Sequence, residues 1–242
     1  MEVRLIDNLG DNVSLNKIVL RNHGVSPLHQ LLLTLRFYAL GTMLISVADF
    51  VGVSISTAGR IVRDISVTIA NLYDEYITVH QQSAEKFYRI GGFPRVLAAI
   101  DCTHIRIQSP CHVIGEEFRN LLSAQCDAGQ FGNRWMLGDS AYPNRPYLLT
   151  PLLNPATEAE QRYNEAHIKT RNTIEKTFGV WKRRFPVIAL TLHLSLLKVQ
   201  AIIIATAVLH NICRTNNYII VDNNMEEQDV RERAALINYY FR

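Results

Sequence analysis

Cysteine is scarce: four in 242 residues, Cys102, Cys111, Cys126 and Cys213, and no two of them form a Cys-x-x-Cys pair. That excludes a disulfide-dense secreted scaffold and points to a reduced, intracellular protein. An excess of one charge is lacking too, with 25 Lys and Arg against 22 Asp and Glu for a net charge of +3. A balance this mild suits a polyanionic partner without requiring one. The sequence has no uninterrupted membrane-length apolar run. Its best candidate, "LLKVQAIIIATAVLHNIC", is broken by Lys198, Gln200, His210 and Asn211 and reads as a buried helix. The opening "MEVRLIDNLGDNVS" carries charges in its first dozen residues and no apolar centre, so it does not read as a signal peptide. Internal repeats and low-complexity tracts are missing as well.

What is present is a 48% hydrophobic chain, long enough for one large or two small globular domains. Residues 1–26 are weakly patterned. From Pro27 the spacing turns helical: Leu31, Leu32, Leu35, Tyr38 and Ala39 share a face, and Gly41 stands where a C-cap belongs. The stretch "LISVADFVGVSISTAGRIVRDISVTIANLY" reads as a short helix, a turn at Gly52, and a longer helix capped by Ser54. Ile61, Ile65, Ile69 and Leu72 make its buried face. This outline is that of a helix-turn-helix, in which Ser54, Ser56, Thr57, Arg60 and Arg63 would face DNA. The plainer alternative is a helical hairpin with solvated basic residues.

Gly91, Gly92 and Pro94 punctuate the chain, and a boundary is placed near residue 90. The resulting division is a 27–90 helical, helix-turn-helix-like domain, a second domain over 91–215, and a mixed-charge tail over 216–242. The second domain opens with an apolar run, "VLAAID", that ends on Asp101; "THIRIQ" alternates like its continuation. A second apolar run, "RWMLGD", ends on Asp139. A long helix follows, with Thr157 as its cap, Glu158 and Glu160 at its start, and Lys182, Arg183 and Arg184 near its end. On its wheel Glu175 shares a partly apolar face with Asn164, Ile168, Arg171, Phe178 and Lys182, which places this acid inward.

A buried carboxylate is costly unless it is paired, hydrogen-bonded or bound to a metal. Strand ends are also where open α/β sheets place their ligand crevices. Asp101, Asp139 and Glu175 therefore form a candidate cage for a hard divalent cation, Mg²⁺ or Mn²⁺. Such ions activate water and stabilise the leaving oxygen in phosphodiester cleavage. Taken one by one the acids have plainer uses: Asp101 as a strand-end cap, and Glu175 as the i,i+4 partner of Arg171. Arg171, Lys176, Lys182, Arg183 and Arg184 are candidate phosphate contacts, or simply complement the helix dipole.

The segments "AIDCTHIRIQSP", "GNRWMLGDSAYPNRPYLLTPLLNP", "YNEAHIKTRNTIEKTFGVWKRRFPVI" and "IIIATAVLHNICR" together resemble the PIF/Harbinger transposases. Within them the likeness is to the domesticated Harbinger-transposase-derived nucleases, and it extends over most of residues 27–215. The resemblance implies a DDE catalytic triad at Asp101, Asp139 and Glu175. It also implies an α/β, RNase H-like fold, divalent-metal-dependent cleavage of DNA, a location in the nucleus with the cytoplasm as a second site, and a separately encoded Myb-like DNA-binding partner. Cys102 and Ala141 stand where the family usually has glycine.

One departure is large. Only about 25 residues, "SPCHVIGEEFRNLLSAQCDAGQFGN", separate the two Asp-bearing pieces. The RNase H-like fold needs two strands and a helix there, about 35 to 40 residues. The sequence looks joined between Asn120 and Leu121, with an internal segment lost. The first Asp strand is then expected at a sheet edge, and the nuclease is expected to be impaired or inactive. The rival function is a non-catalytic DNA- or protein-binding remnant of a transposase.

Overall fold

The computed structural model describes residues 24–41, 43–79, 82–107 and 132–215. Seven helices and three short strands occur among them. Helix α1, Pro27–Leu40, starts on a Ser26 cap that accepts from the His29 amide, with proline at its first position. It stops at Gly41, which is left-handed at φ 61°. A Cβ there would lie 3.0 Å from the backbone of Pro186 and Val187, so space as well as handedness calls for glycine. Helix α2, Leu44–Val51, turns at Gly52 into α3, Ile55–Ala70, with a bend of 100° between them. Ser54 caps α3 by accepting from the Thr57 amide. One-turn α4, Tyr73–Tyr76, and then α5, Ser83–Gly91, lead to the sheet.

The sheet is small and parallel, in the order β1 (Val96–Ala99), β2 (Trp135–Leu137), β3 (Leu148–Leu149). Among the described residues β1 pairs on one side only, with β2; the connection between the two acids, 108–131, lies outside them. "THIRIQ" does not continue it. Residues 102–106 have no regular structure, and Ile107 makes a single parallel bridge to Leu192. A strand needs a neighbour to satisfy its ladder, and here only that one pairing is present.

Helix α6, Glu158–Arg184, runs 27 residues from a full capping box, in which Thr157 and Glu160 satisfy each other's backbone amides. A 3₁₀ turn, Pro186–Ile188, leads toward α7, Leu196–Thr215. Among the described residues α7 alone has the length and apolarity to cross a membrane. It packs instead as a core helix, burying Val199, Ile202, Ala205, Val208, Leu209 and Ile212.

The main core joins α1, α3, the end of α6, the 3₁₀ turn and α7 around Leu33, Tyr38, Ile61, Ile65, Ile69, Ile188 and Leu209. Deep within it the Tyr38 hydroxyl meets the Ser66 hydroxyl, and burial pushes the Tyr38 phenol well above its ordinary pKa. A second, smaller cluster lies under the sheet, with Phe93, Val96 and Leu137 at its centre. Gly91 lets α5 meet α6 closely: a Cβ there would fall 2.0 Å from Thr170 Oγ1 and 2.9 Å from the Ala166 carbonyl oxygen.

Candidate functional site

The two strand-end acids lie side by side. In the parallel pairing Ala99 faces Leu137, and the Ile100 amide donates to the Leu137 carbonyl at 2.8 Å. Asp101 and Asp139 each follow two residues later, so the ladder delivers both carboxylates to the same end of neighbouring strands. Each is braced by its own loop. Asp101 Oδ1 accepts from the Cys102 amide and Asp139 Oδ1 from the Ala141 amide, both at 2.9 Å. Gly138 precedes Asp139 under the ring of Tyr142; a Cβ there would come within 3.1 Å of that ring. The Tyr142 hydroxyl then reaches Cys102 Sγ at 3.0 Å, tying the two acid-bearing loops together.

Helix α6 brings the third acid. Its first half is fixed to the chain leaving β3 by three side chains. Asn164 both donates to and accepts from the backbone of Leu152 at 2.8 Å. The Tyr163 hydroxyl donates to the Thr150 carbonyl at 3.0 Å, and His167 Nε2 lies 3.0 Å from the Leu149 carbonyl. A carbonyl only accepts, so Nε2 carries the proton and Nδ1 is left as a bare acceptor. That atom is buried without a partner among the described residues. Burial lowers the His167 pKa, and the nearby Arg171 charge lowers it further against the opposing pull of the Leu149 carbonyl.

One turn on, Arg171 links two of the three acids. Its Nη1 is 3.3 Å from Asp101 Oδ2 and its Nη2 is 2.6 Å from Glu175 Oε1. The side chains of Asp101 and Arg171 are 15% and 17% exposed, so this pair is largely withdrawn from water. The Glu175 side chain is 51% exposed, more open than its place on the helical wheel suggested. The i,i+4 partnership of Arg171 and Glu175 is readable from sequence. The reach to Asp101, seventy residues earlier, has no local signal.

Among the described residues no three His, Cys, Asp or Glu side chains gather into a metal-ligand group. The chemistry of the donors nevertheless suits a hard cation, since all three acids offer carboxylate oxygen. Two of these acids, Asp101 and Glu175, already share one cation, the Arg171 guanidinium, so their charge is matched to a positive group.

The basic candidates divide. Lys182 Nζ donates to the His104 carbonyl at 2.9 Å and pins the chain after β1. Arg184 turns inward, its Nη1 lying 3.4 Å from His210 Nδ1. Lys176 and Arg183 are exposed. On α3, Ser56, Arg60 and Arg63 are exposed and Thr57 is half-buried; Arg60 donates to the Thr57 hydroxyl and Arg63 pairs with Asp64 at 2.8 Å. The join at Asn120 and Leu121 lies outside the described residues.

Residues 116–211 match a family model described as a DDE superfamily endonuclease, a span that includes Asp139 and Glu175 and begins after Asp101. The human protein named "Putative nuclease HARBI1" is 30% identical over 255 residues, covering 86% of this chain and 72% of its own length. The bovine protein of that name matches equally, and the Xenopus laevis one is 26% identical over 267 residues, covering 91% of this chain and 76% of its own. No solved structure matches the chain. Since 86% of 242 residues is about 208, the 255-residue match to the human protein leaves about 47 of its positions facing no residue here. By this likeness over most of its length, the chain belongs to the family of Harbinger-transposase-derived DDE nucleases.

Proposed function

We propose that this chain is a divalent-metal-dependent nuclease that hydrolyses DNA phosphodiester bonds through Asp101, Asp139 and Glu175. The observation that carries it is the parallel register of β1 and β2, which sets two carboxylates at one sheet end beside a helix bearing the third. Mg²⁺ or Mn²⁺ held by these residues would supply an activated water and a counter-charge for the leaving oxygen. The chain's own parts have simpler tasks. The Cys102 and Ala141 amides orient the two Asp carboxylates, and the Tyr142 ring keeps the loops together. The fold read here is RNase H-like, its order β1-β2-β3 being a remnant of a larger sheet. The α2–α3 pair, bent at 100° with Arg60 and Arg63 exposed, supports a helix-turn-helix-like DNA contact. Nuclear residence and a Myb-like partner are part of the same proposal, and the family resemblance is what supports them.

The test is cleavage of plasmid and linear DNA with Mg²⁺ or Mn²⁺, comparing the wild type with Asp101→Asn and Asp139→Asn. Cutting that both variants abolish is the expected result. Cutting that survives either change sinks the triad.

A second reading, a non-catalytic remnant, is favoured by the engagement of two acids with Arg171. A divalent ion stabilises a protein that binds it and leaves a remnant's melting temperature unchanged. Impairment sits between these readings: a site intact in kind but weakly supported gives slow, Asp101-dependent cutting.

A further inference from the structure

We infer that Arg171 is a built-in competitor for the metal: its guanidinium bridges Asp101 and Glu175 and must swing out before a divalent ion can take the carboxylates. The inference rests on the metal-site reading above and deepens it.

An i,i+4 pair on a solvated helix needs no third member and contributes little to stability. Arg171 does something else. Its two terminal nitrogens divide between carboxylates from different elements, Nη1 toward β1's Asp101 and Nη2 toward Glu175 on its own helix. The oxygen it takes from Asp101 is Oδ2, since Oδ1 is already engaged by the Cys102 amide. Oδ2 is therefore the less encumbered oxygen for an incoming ion, and the guanidinium already covers it.

The arrangement is stable without metal because two acids brought together would otherwise repel, and one cation between them offsets that. A divalent ion at the same place carries twice the charge but has to displace a planar donor held by two contacts. Asp139, braced only through Oδ1 by the Ala141 amide, makes no ion pair among the described residues and remains for the ion. The acids thus stay organised in the empty protein, and affinity for metal is lowered by the same contact that organises them. A side chain acting this way is a positioning residue.

The experiment uses the purified full chain and Mn²⁺. Free Mn²⁺ is counted by electron paramagnetic resonance, and the melting temperature is followed in parallel. Arg171→Met is expected to bind Mn²⁺ at least roughly tenfold more tightly than the wild type, because the competing charge is gone. Without ion the same variant is expected to melt below the wild type, and saturating Mn²⁺ should close most of that gap. A purely structural Arg171 would lower the melting point and leave Mn²⁺ affinity unchanged or weaker, and that outcome overturns the proposal. Arg171→Lys keeps a charge but loses the fork, so it serves if the Met variant fails to fold. It is expected to bind Mn²⁺ more tightly than the wild type, and equal binding overturns the proposal. Asp139→Asn separates the two levels. If wild-type binding depends on Asp139 but Arg171 variants gain nothing, only the competitor role falls. If neither wild type nor variants show Asp139-dependent binding, the metal site falls with it.

Discussion

The helical half and the sheet half of this molecule are built to different standards. The helical half interlocks α1, α3, α7 and the end of α6 through a broad apolar core, and α1, α3 and α6 each start on a side-chain cap. The sheet half has three strands of four, three and two residues over a cluster centred on Phe93, Val96 and Leu137. Yet all three acids of the proposed site stand on the thin half or on the helix stretch crossing it. Stability and the proposed chemistry fall to different parts, so damage to one should leave a recognisable trace of the other.

The comparison breaks most sharply in the core. Leu209→Ala, deep in α7, is expected to cost about 2–5 kcal/mol, read as a lower urea midpoint with unfolding still cooperative. Should it cost no more than a surface change, the helical half is not the main source of stability. Gly91→Ala attacks the seam between α5 and α6. A Cβ in contact with Thr170 and the Ala166 carbonyl should cost about 1–3 kcal/mol by the same measurement. Val96→Ala, in the small cluster, should cost about 1.5 kcal/mol, two methylene equivalents of burial.

A pH effect sharpens the same contrast. His210 is buried in α7 beside Arg184, and its pKa is pushed down to about 4, first by burial and then by Arg184 and Arg214. The unfolded chain takes up this proton below about 6.5, while the folded chain resists until about 4. Its contribution is therefore whole above 6.5 and is lost as pH falls toward 4. The wild type should lose more melting temperature across that window than His210→Asn; parallel curves would remove His210 as a cause. The smallest expected effect is Asp139→Asn without ion, within about 0.5 kcal/mol of wild type, since little but one amide depends on that carboxylate.

What the sequence made legible is largely what is local. Ser54, Gly41 and Thr157 mark their helix ends through contacts within three or four residues, and each stands where the sequence pattern puts it. The two Asp-ended strands are equally plain, as apolar runs that stop on a charge. Helix α5 gave no comparable signal. It buries none of its own residues and meets α6 through a glycine. Strand β3 is two residues long and exists only because β2 pairs with it. The extension through "THIRIQ" failed for the converse reason, an alternating pattern with no partner ladder. The bridge from Arg171 to Asp101 depends on tertiary placement and left no trace in spacing.

The packing of α3 against α7 has a consequence for how the chain is made. Ile61, Ile65 and Ile69 share a core with Ile202, Leu209 and Ile212, so α3 stays uncovered on that face during synthesis until α7 emerges. The intervening chain acts as one long loop closed by that contact. Loop entropy grows only with the logarithm of length, so removing about 47 residues from such a loop changes the closure cost by about 0.3 kcal/mol. A clasp between two helices far apart in sequence is nearly indifferent to how much lies between them. A helical frame of this kind could outlast the loss of a middle segment that the sheet beside it could not.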